Sequence, residues 1–228
     1  MQLLVSPSSI DEARHSGAAD IIDVKKPSEG SLGANFPWVI REIKEFSKKP
    51  VSAAIGDFDF KPGGASLAAY GAACAGADYV KIGLAFEGHD QARELISAVV
   101  RAVKTEFPKK KVVIAAYSDY IRMHSISPFE MAPIAAECGA DLAMVDTGIK
   151  DRQSTFAFMD ETALRTFTDN NRRLGLGTAL AGALKFEDID ALRRINPEII
   201  GVRGMVCGGD RNATVREDLI KTALAMIR

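Results

Sequence analysis

Asp20-Ile21-Ile22-Asp23-Val24-Lys25-Lys26-Pro27 is an apolar β-type run that ends on ionisable side chains. Successive residues of an extended strand point to opposite faces, so Ile21, Asp23 and Lys25 share one face while Ile22 and Val24 share the other. If Ile22 and Val24 pack on helices, Asp23 and Lys25 point together into the interior of a sheet. A lysine placed there is stripped of water, and burial with neighbouring cations lowers its pKa towards amine nucleophile chemistry. The plain alternative is a buried Asp-Lys pair that only holds the strand end, and this stretch alone does not separate the two.

Seven further runs of the same kind extend the pattern outward, and helical periodicity fills the gaps between them. The strand-like runs cover residues 3–6, 21–25, 51–56, 79–84, 112–117, 142–146, 174–180 and 199–203. Ser8 or Ser9 caps a first helix with Ile10 and Ala13. Others follow from Trp38, over 65–75, 91–107, 128–138 and 161–173, and through Ile189 and Leu192. Thr214 and Glu217 have the spacing of a capping box for a last helix over 215–227. Eight β-α units in 228 residues, with strands apolar enough to be covered on both sides, predict a parallel sheet closed into a single (β/α)8 TIM-barrel domain over residues 1–228. An open doubly wound sheet is the competitor, but no Gly-x-Gly-x-x-Gly follows the first strand. Gly76-Ala77-Asp78 and Gly139-Ala140-Asp141 read as turns between helix ends and strands, without chemistry of their own.

Composition narrows the function. The chain is 47% hydrophobic and 26% charged, with a formal net charge of -1, so it has material for a core and no global field for nucleic acid or anionic lipid. Cys74, Cys138 and Cys207 are scattered and odd in number, which argues for a reducing compartment. Together with His15, His89 and His124 they lack metal-ligand spacing, so no metal site is expected. Neither a leader-like start nor a membrane-length apolar run is seen. The expectation is a cytoplasmic protein without nucleic-acid or membrane partners; a homo-oligomer stays open.

Barrels of this kind present functional groups at the carboxyl ends of their strands. Here those ends carry Asp23 and Lys25, Asp57, Lys81, Tyr117 and Asp119, Asp146 and Lys150, and Arg203. Alternation sends Lys81, Asp146 and Arg203 inward with Asp23 and Lys25. Several inward charges of both signs are expensive to bury without a purpose, which favours a catalytic mouth. With neither metal ligands nor a cofactor fingerprint, the candidates work by amine and acid-base catalysis. One of Lys25 and Lys81 is neutral and attacks a carbonyl while the other stays charged; the residues do not say which. The loops after the last two strands supply Gly182, Arg203, Gly204, Gly208 and Gly209, the usual place of a phosphate cradle. A small phosphorylated aldehyde or ketone is the expected partner molecule.

These residues carry a resemblance. Asp20 to Lys25, the string Glu29-Gly30-Ser31-Leu32-Gly33-Ala34-Asn35-Phe36-Pro37, Tyr79 to Gly83, and Asp146 to Asp151 resemble the (5-formylfuran-3-yl)methyl phosphate synthase family over essentially the whole chain. The resemblance implies a (β/α)8 barrel that condenses two glyceraldehyde 3-phosphate molecules into a phosphorylated furan aldehyde, releasing one phosphate and two waters. It implies no metal and no organic cofactor, and a product that feeds methanofuran-type one-carbon carriers. The family's Schiff-base lysine falls on Lys25 and its proton-transferring lysine on Lys81, with Asp23, Asp146 and Lys150 as supporting groups. One position departs: Lys26 stands where a polar uncharged residue often follows the Schiff-base lysine, and alternation favours Lys25 as the inward amine. Ser31 and Asn35 are candidates for a second anion site, though their reading as turn residues is the stronger. Two other readings stand beside this one: a metal-dependent sugar-phosphate decarboxylase or epimerase, and a non-catalytic sugar-phosphate-binding barrel.

Overall fold

A computed structural model describes residues 1–228. In chain order the elements are β1 (Gln2–Val5), α1 (Ile10–His15), β2 (Ile21–Val24), α2 (Pro37–Phe46), β3 (Val51–Phe58), α3 (Pro62–Cys74), β4 (Tyr79–Leu84), α4 (His89–Lys104), β5 (Lys111–Tyr117), α5 (Tyr120–Met123), α6 (Pro128–Glu137), β6 (Leu142–Asp146), α7 (Glu161–Arg173), β7 (Gly177–Leu180), α8 (Ile189–Ile195), β8 (Ile199–Val202) and α9 (Glu217–Ile227). The strands pair in sequence order, and β1 closes on β8 through Gln2 opposite Ile199 and Leu4 opposite Gly201, giving an eight-stranded parallel barrel. No helix is long and apolar enough to cross a membrane.

Strand alternation splits the core into two shells. Leu4, Ile21, Ala54, Val113, Leu142, Met144 and Ile199 fill the barrel interior. Their neighbours Leu3, Val5, Ile22, Val24, Val80, Ile82 and Val145 point out and pack against the helices. Those helices present matching apolar stripes; in α4, Leu95, Ile96, Val99, Val100 and Val103 are all buried. Ile22 and Val24 therefore face helices, and Asp23 is left inside.

Some boundaries differ from the sequence expectation, each for a local reason. The expected seventh strand loses its first three residues, because Leu174 caps α7 and Gly175 turns the chain with φ +78°. The Thr214-Glu217 capping box does not form. Arg216 is the residue that precedes α9 and makes no side-chain cap, its amide donating instead to Val206 O at 2.8 Å. β3 runs on past residue 56 because it contains a bulge: Ala54 is opposite Lys81 but Asp57 is opposite Gly83, so β3 carries one extra residue between the two pairs. Gly56, at φ +136°, absorbs the kink.

Candidate active site

The mouth is built by the inward positions of β2, β4 and β6. Asp23 on β2 is fully buried, and the Lys81 ammonium on β4 grips both of its oxygens, at 2.9 and 2.8 Å. Ser6, one residue beyond β1, donates to the same carboxylate at 2.9 Å, and Ser52 stands opposite Asp23 in register and adds a further hydrogen bond. Burial works against ionising Asp23. The ammoniums of Lys81 and Lys25 and the bonds from Lys81 and Ser52 outweigh it, and the carboxyl is held below its ordinary range.

A second cluster lies across the mouth on β6. Lys150 Nζ donates to Asp146 Oδ1 at 2.8 Å, to Thr147 O at 2.5 Å and to Thr147 Oγ1 at 3.0 Å. Asp146 is nearly inaccessible; burial opposes its charge, but Lys150, Lys25 and Lys81 bring its pKa below the usual value. Lys25 sits between these pairs, one residue past the end of β2, and is 8% exposed. Unlike Lys81 and Lys150, its amine forms no ion pair or hydrogen bond with a protein side chain. Burial pushes its pKa from the ordinary 10.5 down to about 8; Asp146 and Asp23 resist the fall, while Lys81 and Lys150 add to it. The arrangement contains two neutralised Asp-Lys pairs and one unpaired amine able to shed its proton near neutrality. Such an amine can attack a carbonyl, and the flanking pairs can pass protons.

The phosphate-cradle residues are placed less simply. Gly182 follows β7 and packs against Thr155 and Thr147, where a methyl group would lie 2.2 Å from Thr155 Oγ1. The amides of Gly182 and Ala183 donate to no backbone carbonyl. Gly204 opens a turn that ends at Gly208, and the Gly209 amide closes it by donating to Gly204 O at 2.9 Å. Arg203, expected from the sequence to help hold a substrate phosphate, has its guanidinium engaged by groups of the chain itself. It donates to Ser6 O and Glu12 Oε2 at 2.8 and 2.9 Å and to Arg211 O at 2.6 Å, with longer bonds to Ser8 Oγ and Ala213 O. Glu12 in α1 is buried and has its pKa lowered against the pull of burial by Arg203 and Ser8. Arg203 is thus a staple between the loops after β1 and β8. Arg203→Met is expected to cost ~3–5 kcal/mol in urea unfolding, because it strands a buried carboxylate. A variant of unchanged stability that only binds phosphate esters more weakly would return the guanidinium to the substrate.

Ser31 and Asn35 are already engaged within the chain: Ser31 Oγ donates to Thr147 O, just past β6, at 2.8 Å, and Asn35 Oδ1 accepts the Phe36 amide at 2.8 Å. Sequence reasoning passed over Ser6 and Ser52, which hold Asp23. Alternation from Leu4 to Ser6 and from Ser52 to Ala54 marks both as inward, but hydroxyls carry no charge to draw the eye.

A closed parallel barrel whose mouth gathers two Asp-Lys pairs around a free amine defines the class: a (β/α)8-barrel enzyme. Residues 3–224 match the family model described as 4-HFC-P synthase, and the chain belongs to that family. It is 57% identical over 230 residues to a Methanosarcina mazei protein named (5-formylfuran-3-yl)methyl phosphate synthase, covering 99% of this chain and 98% of that one. A Methanocaldococcus jannaschii protein of the same name is 49% identical, with 97% of each chain covered. Among solved structures, a 3-hexulose-6-phosphate synthase superposes with TM-score 0.72 at 21% identity over 100% of both chains. An orotidine 5'-monophosphate decarboxylase from Methanocaldococcus jannaschii gives 0.71 at 16% identity, covering 100% of this chain and 98% of that one. At such identities these two show the shared barrel and nothing finer.

Proposed function

We propose that the chain is a carbon-oxygen lyase that condenses two glyceraldehyde 3-phosphate molecules into (5-formylfuran-3-yl)methyl phosphate, through an imine on Lys25, for methanofuran-type cofactor biosynthesis. The family supports the product. The observation that carries the chemistry is the single unpaired amine, Lys25, with its pKa near 8. Lys25 attacks the aldehyde carbon of one triose phosphate and water leaves, giving the imine. Removal of the proton from the adjacent carbon, passed through the Lys81-Asp23 pair, yields an enamine that expels phosphate. The second triose phosphate isomerises to its 2-ketone, and the phosphate-free enol adds through its C3 to that ketone carbon, forming the branched carbon-carbon bond that a 3-substituted furan requires. Ring closure and dehydration follow, with Asp146 and Lys150 relaying protons, and water releases the product and restores the amine. One phosphate and two waters leave in total.

The amides of Gly182 and Ala183 and the turn Gly204–Cys207, with Gly208 and Gly209 behind it, are the places we assign to one substrate phosphate. The test is to incubate the purified protein with glyceraldehyde 3-phosphate and follow a furan chromophore together with released phosphate. Borohydride added during turnover should leave a reduced adduct on Lys25 by peptide mass spectrometry. Attack requires the neutral amine, so kcat/KM should rise with pH along a limb centred at about 8. Turnover abolished by a chelator, with no adduct, would point instead to a metal-dependent sugar-phosphate reaction.

A further inference from the structure

The bulge in β3 has a consequence at the mouth. Simple alternation from Ala54 would turn Asp57 outward, and the extra residue turns it in, opposite Gly83. There its carboxylate accepts the Tyr117 hydroxyl and, on both oxygens, the Leu32 amide at 3.1 and 3.0 Å. Gly83 makes room for this group: a methyl on it would lie 2.1 Å from the Tyr117 hydroxyl, 2.9 Å from Asp57 Oδ1 and 3.0 Å from Leu32 Cδ1. Gly83 is the next inward position of β4 beyond Lys81, so Asp57, Tyr117 and Leu32 form the layer directly above the Lys81-Asp23 pair. Leu32 is fully buried although it lies on a loop, and it packs with the inward strand residues Ile21, Ala54, Ala115 and Met144.

That loop joins the two lysine clusters. At its start the Lys26 amide donates to Gly33 O at 2.9 Å, and Asn35 Nδ2 reaches Lys25 O at 3.5 Å. At its tip Ser31 holds the Thr147 carbonyl, which also receives Lys150 Nζ. Fixing Leu32 therefore fixes the backbone of Lys25 on one side and the Lys150 loop on the other. We propose that Asp57 is a positioning residue for this reaction: with Tyr117 it clamps the Leu32 amide, so that the loop over residues 26–36 seals the barrel beside Lys25. The proposal rests on the reading of Lys25 as the imine-forming amine.

The sign of a pKa change separates a clamp from a direct charge effect. Lys25 feels Asp23 on its own strand, Lys81 from β4, and Asp146 and Lys150 from β6 and its loop; Lys26 follows it and pairs with Glu29. Asp57 on β3 and Tyr117 on β5 face the same interior, the phenol held well above its ordinary pKa by burial and by Asp57. β1, β7 and β8 bring no charged side chain to the interior. Removing the Asp57 carboxylate as a mere charge lowers the Lys25 pKa, because an anion favours the ammonium. Loosening the seal admits water and raises it.

The experiment labels Lys25 with acetic anhydride across pH, without substrate, and quantifies the modified peptide by mass spectrometry in the full chain, its Asp57→Ala, Asp57→Asn and Tyr117→Phe variants. The labelling midpoint of Asp57→Ala is expected to rise by about one unit. Its kcat for triose phosphate should fall about ten-fold or more with KM little changed. Asp57→Asn keeps an acceptor for the Leu32 amide and should recover most of both. Tyr117→Phe should move the midpoint the same way by less, and it decides the matter if Asp57→Ala does not fold. A midpoint that stays or falls, or an asparagine no better than alanine, overturns the clamp. Failure of the unsubstituted protein to form an imine would remove the functional reading instead, and the labelling midpoints would still decide the clamp.

Discussion

Lys25→Met is expected to abolish turnover and, at the same time, to make the protein more stable. Loss of the nucleophile should cost on the order of 10⁴-fold or more in kcat/KM, with no borohydride adduct remaining. The gain in stability follows from linkage. An amine whose pKa falls from 10.5 unfolded to about 8 folded carries a burial penalty of ~3 kcal/mol while both states are charged. Folding releases its proton between about pH 8 and 10.5; the unfolded chain binds more protons there, so the stability contributed by this residue rises with pH through that window. The penalty is therefore full below pH 8 and gone above 10.5. Methionine fills a similar volume without charge, so melting at pH 7 should rise by roughly 5 °C or more. Near pH 10 the advantage should shrink. A variant less stable than the parent at pH 7 would mean that Lys25 is a structural ion-pair partner and not a strained amine.

Where the chain is extended, period-two alternation is a geometric rule, and it reads through to the site. Asp23, Lys25, Lys81 and Asp146 meet inside the barrel because each follows or lies in a short unbulged strand whose neighbours pack on helices. The same rule gives the bounds of β4 and β6, while the capping Asp160 and the turn at Gly175 bracket α7. It fails where an interaction comes from far away in the chain. Arg203 lies beyond the last residue of β8, so its direction is set by Glu12 and Ser6, nearly two hundred residues distant in sequence. Thr214 loses its capping box to a contact between Arg216 and Val206 that no local spacing announces. Parity counted from Ala54 would send Asp57 outward, and the one residue inserted by the β3 bulge reverses every side chain after it. The Gly56-Asp57 step was the available sign of that bulge, because glycine inside a strand run often marks one.

The larger stability effect is expected at the Asp23-Lys81 pair, which is 0% and 2% exposed. Asp23→Leu leaves the Lys81 ammonium inside the barrel with no anion in contact, and should cost ~3–5 kcal/mol. Lys81→Met is milder. The Asp23 carboxylate keeps its bonds from Ser6 and Ser52, and the Lys25 ammonium already acts on it, so Lys25 can take over as counter-ion. Replacing both members by apolar residues removes the two desolvation penalties together. The double variant should recover most of the lost stability, with a coupling free energy of ~2–3 kcal/mol in a double-mutant cycle followed by urea unfolding. All three variants should lack turnover. They should nevertheless differ at Lys25. Loss of Lys81 removes a cation and raises the Lys25 labelling midpoint; loss of Asp23 removes an anion, leaves Lys81 unneutralised, and lowers it. Additive stabilities, or midpoints that move together, would mean that the pair does not hold the charge state of the neighbouring amine, and the division of roles between the two lysines would fall.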